Sequence, residues 1–144
     1  MTRRQVILTA SGIASPAFLN PQIIPGDFTQ GMLNGRGWNR LPLGQKTCFL
    51  LGMTEALIFV RAAEMALNSE ARKIHEAIID PFDLPTVNND ELAGKVDNLY
   101  TDAANANIPV IEIVTVASMV FRGKKQSDID DYITTLRASR SAIK

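Results

Sequence analysis

Residues 43–67, LGQKTCFLLGMTEALIFVRAAEMAL, decide the fold that we predict for this chain. Pro42 is suited to the first position of a helix, and no further proline follows until Pro81. Most of the residues between them are strong helix formers, such as Ala, Leu, Met and Glu. At about 100° per residue, one apolar stripe runs along the predicted helix: Phe49, Met53, Ala56, Val60, Ala63 and Leu67.

The polar side chains of this helix fall within a sector about 100° wide: Lys46, Thr47, Thr54, Arg61 and Glu64. Because the rest of the circumference is mostly apolar, we expect neighbouring segments to cover the helix. A membrane span is disfavoured, since an Asp or Arg at mid-membrane costs about 2.5–3.5 kcal/mol, and Glu55, Arg61 and Glu64 would all enter the hydrocarbon. We predict the central helix of a soluble core, without a transmembrane anchor.

Glu55 is the residue whose charge conflicts with this expected burial. It projects among Leu51, Ile58 and Phe59, and no basic residue lies three or four positions away. If buried, it needs a partner from another segment, or its pKa rises. Two interpretations stay open: a partly exposed or structurally satisfied carboxylate, and a functional acid or binding group.

Composition describes one ordinary globular domain of 144 residues, with 46% apolar and 21% charged residues. The formal net charge is zero, so we predict no nucleic-acid partner. Cys48 is the single cysteine, which excludes an internal disulfide, and we expect it to be buried in the central helix. With one histidine as well, His75, the sequence predicts no metal site and no cofactor.

The first 17 residues, MTRRQVILTASGIASPA, have the features of an export signal. Arg3 and Arg4 precede a short apolar stretch, and small residues follow at Ser15 and Ala17. The start also resembles the twin-arginine signal of bacteria. We predict a signal over 1–17, a single helical domain over 18–144, and a periplasmic location. The alternative is a structural N-terminal arm on a cytoplasmic protein.

The remaining segments predict further helices after a loop rich in Gly and Pro at 18–40. Trp38 in that loop either packs under the start of the central helix with Leu41 or belongs to a binding surface. Asn88 with Glu91 forms a helix start, followed by an apolar stripe: Leu92, Val96, Leu99 and Tyr100. The final helix places three apolar residues inward: Ile129, Ile133 and Leu136.

Residues 110–122 form a very apolar segment that suits either a buried strand or a buried helix. Pro109 before it and Gly123 after it favour the helix. We therefore predict an all-α protein, a compact orthogonal bundle of four to five helices.

The sequence lacks the common catalytic motifs, including G-x-S-x-G, H-E-x-x-H and the Walker loop. No catalytic residue is predicted from a motif. The enzyme alternative is a small hydrolase or lyase that uses Glu55 with a second carboxylate, such as Asp97 or Glu112.

Several runs carry a resemblance to known proteins. The segments NGRGWNRL at 34–41 and FLLGM at 49–53, together with Lys46, resemble the opening of small exported bacterial proteins of unknown function. The segments DNLY at 97–100 and NANIPV at 105–110, with Gly123, resemble the second half of the same family. More distantly, the layout is similar to helical periplasmic immunity proteins that inhibit type VI secretion amidases.

The resemblance implies a compact, helical, non-enzymatic exported protein. Its family-like residues are then mainly architectural: Trp38, Gly52, Asp97, Tyr100, Asn105 and Pro109. The loop from Tyr100 to Asn105 either ties its own backbone through side-chain hydrogen bonds or forms a ligand site. We predict a binding or interaction protein of the cell envelope, whose partner is another envelope protein. The candidate binding residues are Glu55, Trp38, Tyr100 and Asn105.

Overall fold

The computed structural model describes residues 24, 26–64, 73, 82, 84 and 87–141. The predicted signal at 1–17, the end of the central helix at 65–67 and His75 lie outside the described residues. Within the described part of the chain, the structure is mostly helical, which confirms the all-α prediction.

The described elements are a small hairpin and five α-helices. Strands β1 (Phe28–Thr29) and β2 (Met32–Leu33) pair antiparallel. They are followed by α1 (Gly35–Arg40), α2 (Leu43–Glu64), α3 (Asn89–Leu99), α4 (Val110–Phe121) and α5 (Gln126–Ser141), with a 3-10 turn at Ala103–Asn105 before α4. Helix α4 confirms the helical interpretation of residues 110–122, with Pro109 as its N-cap.

The predicted loop at 18–40 is wrong for residues 28–33 and 35–40, where the structure has the hairpin and α1. The side-chain oxygen of Asn34 accepts hydrogen bonds from the backbone N–H of Arg36 and Gly37, at 3.0 and 3.3 Å, and so begins the helix. Gly35 serves close packing rather than a turn, because a Cβ there would overlap the Tyr100 ring.

The core lies between α3, α4 and α5, and α3 also packs against α2. The capping box that begins α3 is confirmed, since Asn88 Oδ1 accepts from the Glu91 N–H at 2.8 Å and the Glu91 carboxylate accepts from the Asn88 N–H. The inward positions predicted for α5 are buried, as are three of the four predicted on α3 and its cap, with Leu99 half-buried. The largest fully buried core side chains include Trp38, Leu50, Ile108, Ile113 and Val96.

The prediction that α2 is largely covered is wrong for its described residues. Lys46 and Leu50 are its buried residues, whereas Leu51, Ile58 and Phe59 are 48%, 57% and 73% exposed. Cys48, which we expected to be buried, is exposed as well. The reason is orientation. Lys46 of the polar strip is buried against the body and Thr47 and Thr54 are half-buried, whereas Arg61 of that strip is exposed, as is most of the apolar arc.

By length and composition alone, the stretch Leu43–Ala63 of α2 is able to cross a membrane. Its mean hydropathy is 1.3, and 6% of the most apolar window is buried within the protein. It is the one helix of this kind among the described residues.

Candidate functional site

A cluster of three side chains joins the start of α2 to the body, and we name it the Trp–Lys–Asp cluster: Trp38, Lys46 and Asp97. The indole Nε1–H of Trp38 donates to Asp97 Oδ1 at 2.6 Å. The Lys46 ammonium donates to the same oxygen at 2.7 Å and lies 5.4 Å from the centre of the Trp38 ring. One carboxylate oxygen therefore connects α1, α2 and α3.

Burial in the cluster is uneven. Trp38 is fully buried, the Lys46 side chain is 11% exposed, and the Asp97 side chain is 41% exposed. Two largely buried donors thus share one acceptor oxygen. A buried donor that lacks an acceptor lowers the stability of the folded state. The structure places Trp38 in the core, in agreement with the packing interpretation of this residue.

Phe49 connects the Trp–Lys–Asp cluster to the outside of α2. Its ring meets the Trp38 ring edge-to-face, with 6.0 Å between centroids and an interplanar angle of 78°. Because Trp38 is held by Asp97, this contact fixes one edge of the Phe49 ring. Phe49 remains 38% exposed.

Tyr100, a predicted binding residue, is buried and donates its hydroxyl hydrogen to the Ile108 carbonyl at 2.8 Å. Burial raises the pKa of this phenol well above its usual value, and the negative charge of Glu112 raises it further. The side chain therefore stays neutral and acts as a fixed donor between the end of α3 and the start of α4.

Asn105, another predicted binding residue, is also buried, and both the nitrogen and the oxygen of its side-chain amide are hydrogen-bonded. Its amide N–H donates to the Leu99 carbonyl at 2.7 Å, and its Oδ1 accepts from Arg137 Nε at 2.9 Å. Arg137 also forms an ion pair with Asp102. Asp102 accepts from the Ala104 N–H at 2.9 Å, and this bond, together with Arg137, lowers the pKa of the Asp102 carboxyl. Of the two interpretations of this loop, the structure shows the one in which side chains tie its own backbone.

A surface cleft of about 340 Å³ lies beside Asn105. Asp102, Asp130, Thr134 and Arg137 also line it. Gln126 donates to the Asp130 carboxylate at 2.8 Å, and the Thr134 hydroxyl donates to the Asp130 backbone carbonyl at 2.8 Å. The side chains of Asp102, Asp130, Thr134 and Arg137 thus all have hydrogen-bond partners within the protein.

Glu55 is exposed on α2, which removes the conflict between its charge and its expected burial. It follows Lys46 by nine residues, which corresponds to about 13 Å along a helix and separates it from the cluster. Each carboxylate suggested as its catalytic partner is bound to a cation: Asp97 to Lys46, and Glu112 to Arg140. The structure therefore does not assemble a pair of acids from these three residues.

The exposed side of α2 is apolar, and we name five of its residues the outer face: Phe49, Gly52, Ala56, Phe59 and Ala63. All five are exposed. Leu51 and Ile58 are exposed beside them. Monomeric proteins in water seldom expose a large apolar surface of this kind. Three of the five, Phe49, Ala56 and Ala63, belong to the apolar stripe that the sequence predicts. Met53 and Val60 of that stripe are half-buried, and Leu67 lies outside the described residues.

Comparison with protein-family models, with curated proteins and with solved structures found no match for this chain. The functional assignment therefore depends on the geometry of the described residues.

Proposed function

We propose that this protein is a non-enzymatic interaction protein of the bacterial cell envelope. The observation that carries the proposal is the outer face of α2, an exposed apolar surface on a helix that Lys46 attaches to the body. A protein–protein contact surface depends on complementary shape and on buried apolar area, and it does not require a catalytic group.

The attachment of α2 to the body supports this function. The Trp–Lys–Asp cluster holds the first two turns of the helix, and Thr47 donates to the Asp90 carboxylate at 3.0 Å. A surface held in this way loses little conformational freedom on binding, which favours affinity.

The cellular setting is part of the proposal. A signal over 1–17 would deliver an orthogonal helical domain, 18–144, to the periplasm, as the arginine pair and the following apolar stretch predict. The small exported proteins that this sequence resembles belong to the same compartment.

Site-specific photocrosslinking in the host tests the function. A photoreactive residue at Ile58 on the exposed side of α2 should give a protein adduct of defined mass from the envelope fraction. The same residue at Asp131, which is exposed on α5, is the matched control and should give none. Equal adducts at both positions, or none at Ile58, would count against an interaction surface on α2.

The second candidate function is membrane association, which the length and hydropathy of Leu43–Ala63 favour. Flotation of the purified protein with vesicles of mixed neutral and anionic phospholipid tests it. Co-flotation that is lost in a Phe59→Glu variant would support this function over protein binding.

A further inference from the structure

Asn34 is followed directly by Gly35, and this is the one Asn-Gly pair in the sequence. An asparagine before a glycine is chemically prone to deamidation. The reason is that glycine has no Cβ to hinder the approach of its own backbone nitrogen to the preceding side chain. The pair is thus a site of modification by its chemistry, and the conformation of the chain decides whether the reaction occurs.

The reaction needs no reagent other than water. The backbone nitrogen of Gly35 attacks Cγ of Asn34, the new C–N bond closes a cyclic imide, and the Cγ–Nδ2 bond breaks. The proton of the Gly35 N–H goes to the leaving nitrogen, which departs as ammonia. Water then adds to either carbonyl of the imide and opens the ring, which gives aspartate or isoaspartate at this position.

The folded protein holds the Asn34 carboxamide with four hydrogen bonds. Its nitrogen donates to the Gly26 carbonyl at 2.9 Å and to Thr29 Oγ1 at 3.1 Å. Its oxygen accepts from two backbone N–H groups in the first turn of α1, at 3.0 and 3.3 Å. To form the imide, the carboxamide must turn its carbon towards the Gly35 nitrogen, and that rotation breaks the bonds on both sides.

Burial adds to this protection. Asn34 is 1% exposed, and Gly35 is buried against the Tyr100 ring. Burial therefore keeps water and base from the carboxamide and from the Gly35 nitrogen, which must lose its proton in the reaction. The site is closed in the folded state, and it opens when the hairpin and the start of α1 unfold.

Modification would remove the donor side of the Asn34 carboxamide. A carboxylate oxygen in place of the nitrogen would face the Gly26 carbonyl and Thr29 Oγ1, whose own hydrogen is donated to the Asn107 carbonyl at 2.8 Å. The N–H groups of α1 would still bind the other oxygen, but a buried charge beside two acceptors is unfavourable. Isoaspartate would in addition lengthen the backbone by a carbon. Either product therefore destabilises the folded state.

The position of Asn34 extends this effect to three elements. Its backbone N–H donates to the Asp27 carbonyl at 2.9 Å, before the hairpin, and its carbonyl accepts from the Trp38 N–H of α1 at 2.8 Å. It also forms a β-bridge with Pro109, the N-cap of α4. A change at this one residue thus disturbs the hairpin, α1 and the start of α4 together.

We propose that Asn34 and Gly35 form a deamidation site that the fold protects and that unfolding exposes, so that modification there keeps the chain from returning to its native structure. The rate at which the hairpin and α1 open then limits the lifetime of the protein. This inference goes beyond the proposed interaction function and is independent of it.

Peptide mass spectrometry of the purified full chain, incubated in mildly alkaline buffer with and without denaturant, tests the protection. Asn34 should convert to an acid at least about tenfold faster in denaturant, because the folded chain must first break the hydrogen bonds of the carboxamide. Asn39 is the internal control, since it is exposed on α1 and is followed by the bulky Arg40. It should react slowly in both conditions. Gly35→Ala, measured in denaturant, should remove the fast reaction at Asn34.

Refolding tests the consequence. After dilution from denaturant, the refolded protein should be enriched in chains with an intact Asn34, and the chains that fail to refold should carry the acid. Asn34→Asp should unfold at a lower denaturant concentration than the wild type or fail to fold, whereas Asn39→Asp should match the wild type.

Four results would overturn the proposal. They are equal rates of conversion at Asn34 in the folded and unfolded chains, no conversion in denaturant, an equally fast reaction in the Gly35→Ala variant, and modified chains that refold as completely as unmodified ones. The first three concern the site and its protection by the fold. The last concerns the effect of the modification on the native structure.

Discussion

The ammonium of Lys46 lies 2.7 Å from Asp97 Oδ1, the same oxygen that accepts the indole N–H of Trp38. This shared acceptor holds the start of α2 against α3. As a consequence the apolar arc of α2 points away from the body, and the helix presents an apolar surface where a core helix would present a polar one.

Asp97→Ala should lower the free energy of unfolding by about 1–3 kcal/mol, because it leaves two largely buried donors without their acceptor. Chemical denaturation followed by tryptophan fluorescence measures the loss, since Trp38 is the single tryptophan. Asp131→Ala on the exposed side of α5 should change stability by no more than about 0.5 kcal/mol. Equal effects from the two substitutions would show that the shared acceptor contributes little.

Two glycines should respond in opposite directions to alanine. A Cβ at Gly35 would overlap the Tyr100 ring, so Gly35→Ala should destabilise the protein by about 1–3 kcal/mol through overpacking. Gly94 lies within α3 with open space around it, so Gly94→Ala should stabilise by about 0.5–1 kcal/mol. Thermal unfolding of the two variants measures both changes in stability. A Gly35→Ala variant as stable as the wild type would contradict the close contact with Tyr100.

Asp102 should make the protein sensitive to acid. Its folded-state pKa lies below the ordinary value of 3.8, chiefly because the carboxylate accepts from the Ala104 N–H, with a further contribution from Arg137. The unfolded state therefore binds the proton more tightly. The stabilisation is present above about pH 4 and is lost as the pH falls through the folded-state pKa. Denaturation across this pH range should show that Asp102→Asn loses less stability on acidification than the wild type does. An equal loss in both proteins would contradict this role of Asp102.

The stability that Tyr100 contributes should instead be lost at high pH. Burial chiefly, and Glu112 secondarily, raise its pKa above 10.0, so the folded state holds the phenolic proton more tightly. Its stabilisation is full below the unfolded-state pKa and is lost as the pH rises above it. Tyr100→Phe should cost about 1–2 kcal/mol at neutral pH and should reduce the alkaline loss of stability. Ultraviolet titration checks this directly, because a Tyr100 that ionises near pH 10 in the folded protein would be in contact with water.

Those parts of the fold that depend on local signals could be predicted from the sequence. Asn88 with Glu91 identified the start of α3, and Pro109 with Gly123 marked α4, because capping groups and backbone preferences act within a few residues. The inward residues of α5 followed from spacing alone. For the loop around Asn105 the sequence left two interpretations, and the structure shows the one with side-chain bonds to its own backbone.

The direction of α2 could not be predicted from the sequence. The narrow polar sector led to the expectation that neighbouring segments cover the helix. The long-range contacts of Lys46 with Asp97, and of Thr47 with Asp90, attach only one side of α2 to the body, and no local pattern encodes them. Helix α1 was missed because the Gly and Pro content of residues 18–40 predicted a loop, whereas Gly35 makes room for Tyr100.

Reaction of the natural cysteine with a thiol reagent tests the outward direction of α2 most directly. Cys48 is the single cysteine and is exposed on α2, whereas a helix covered on all sides would bury it. The native protein should therefore react with 5,5′-dithiobis(2-nitrobenzoate) without denaturant, at a rate close to that of the unfolded protein. A Cys48 that reacts only after unfolding would contradict the account.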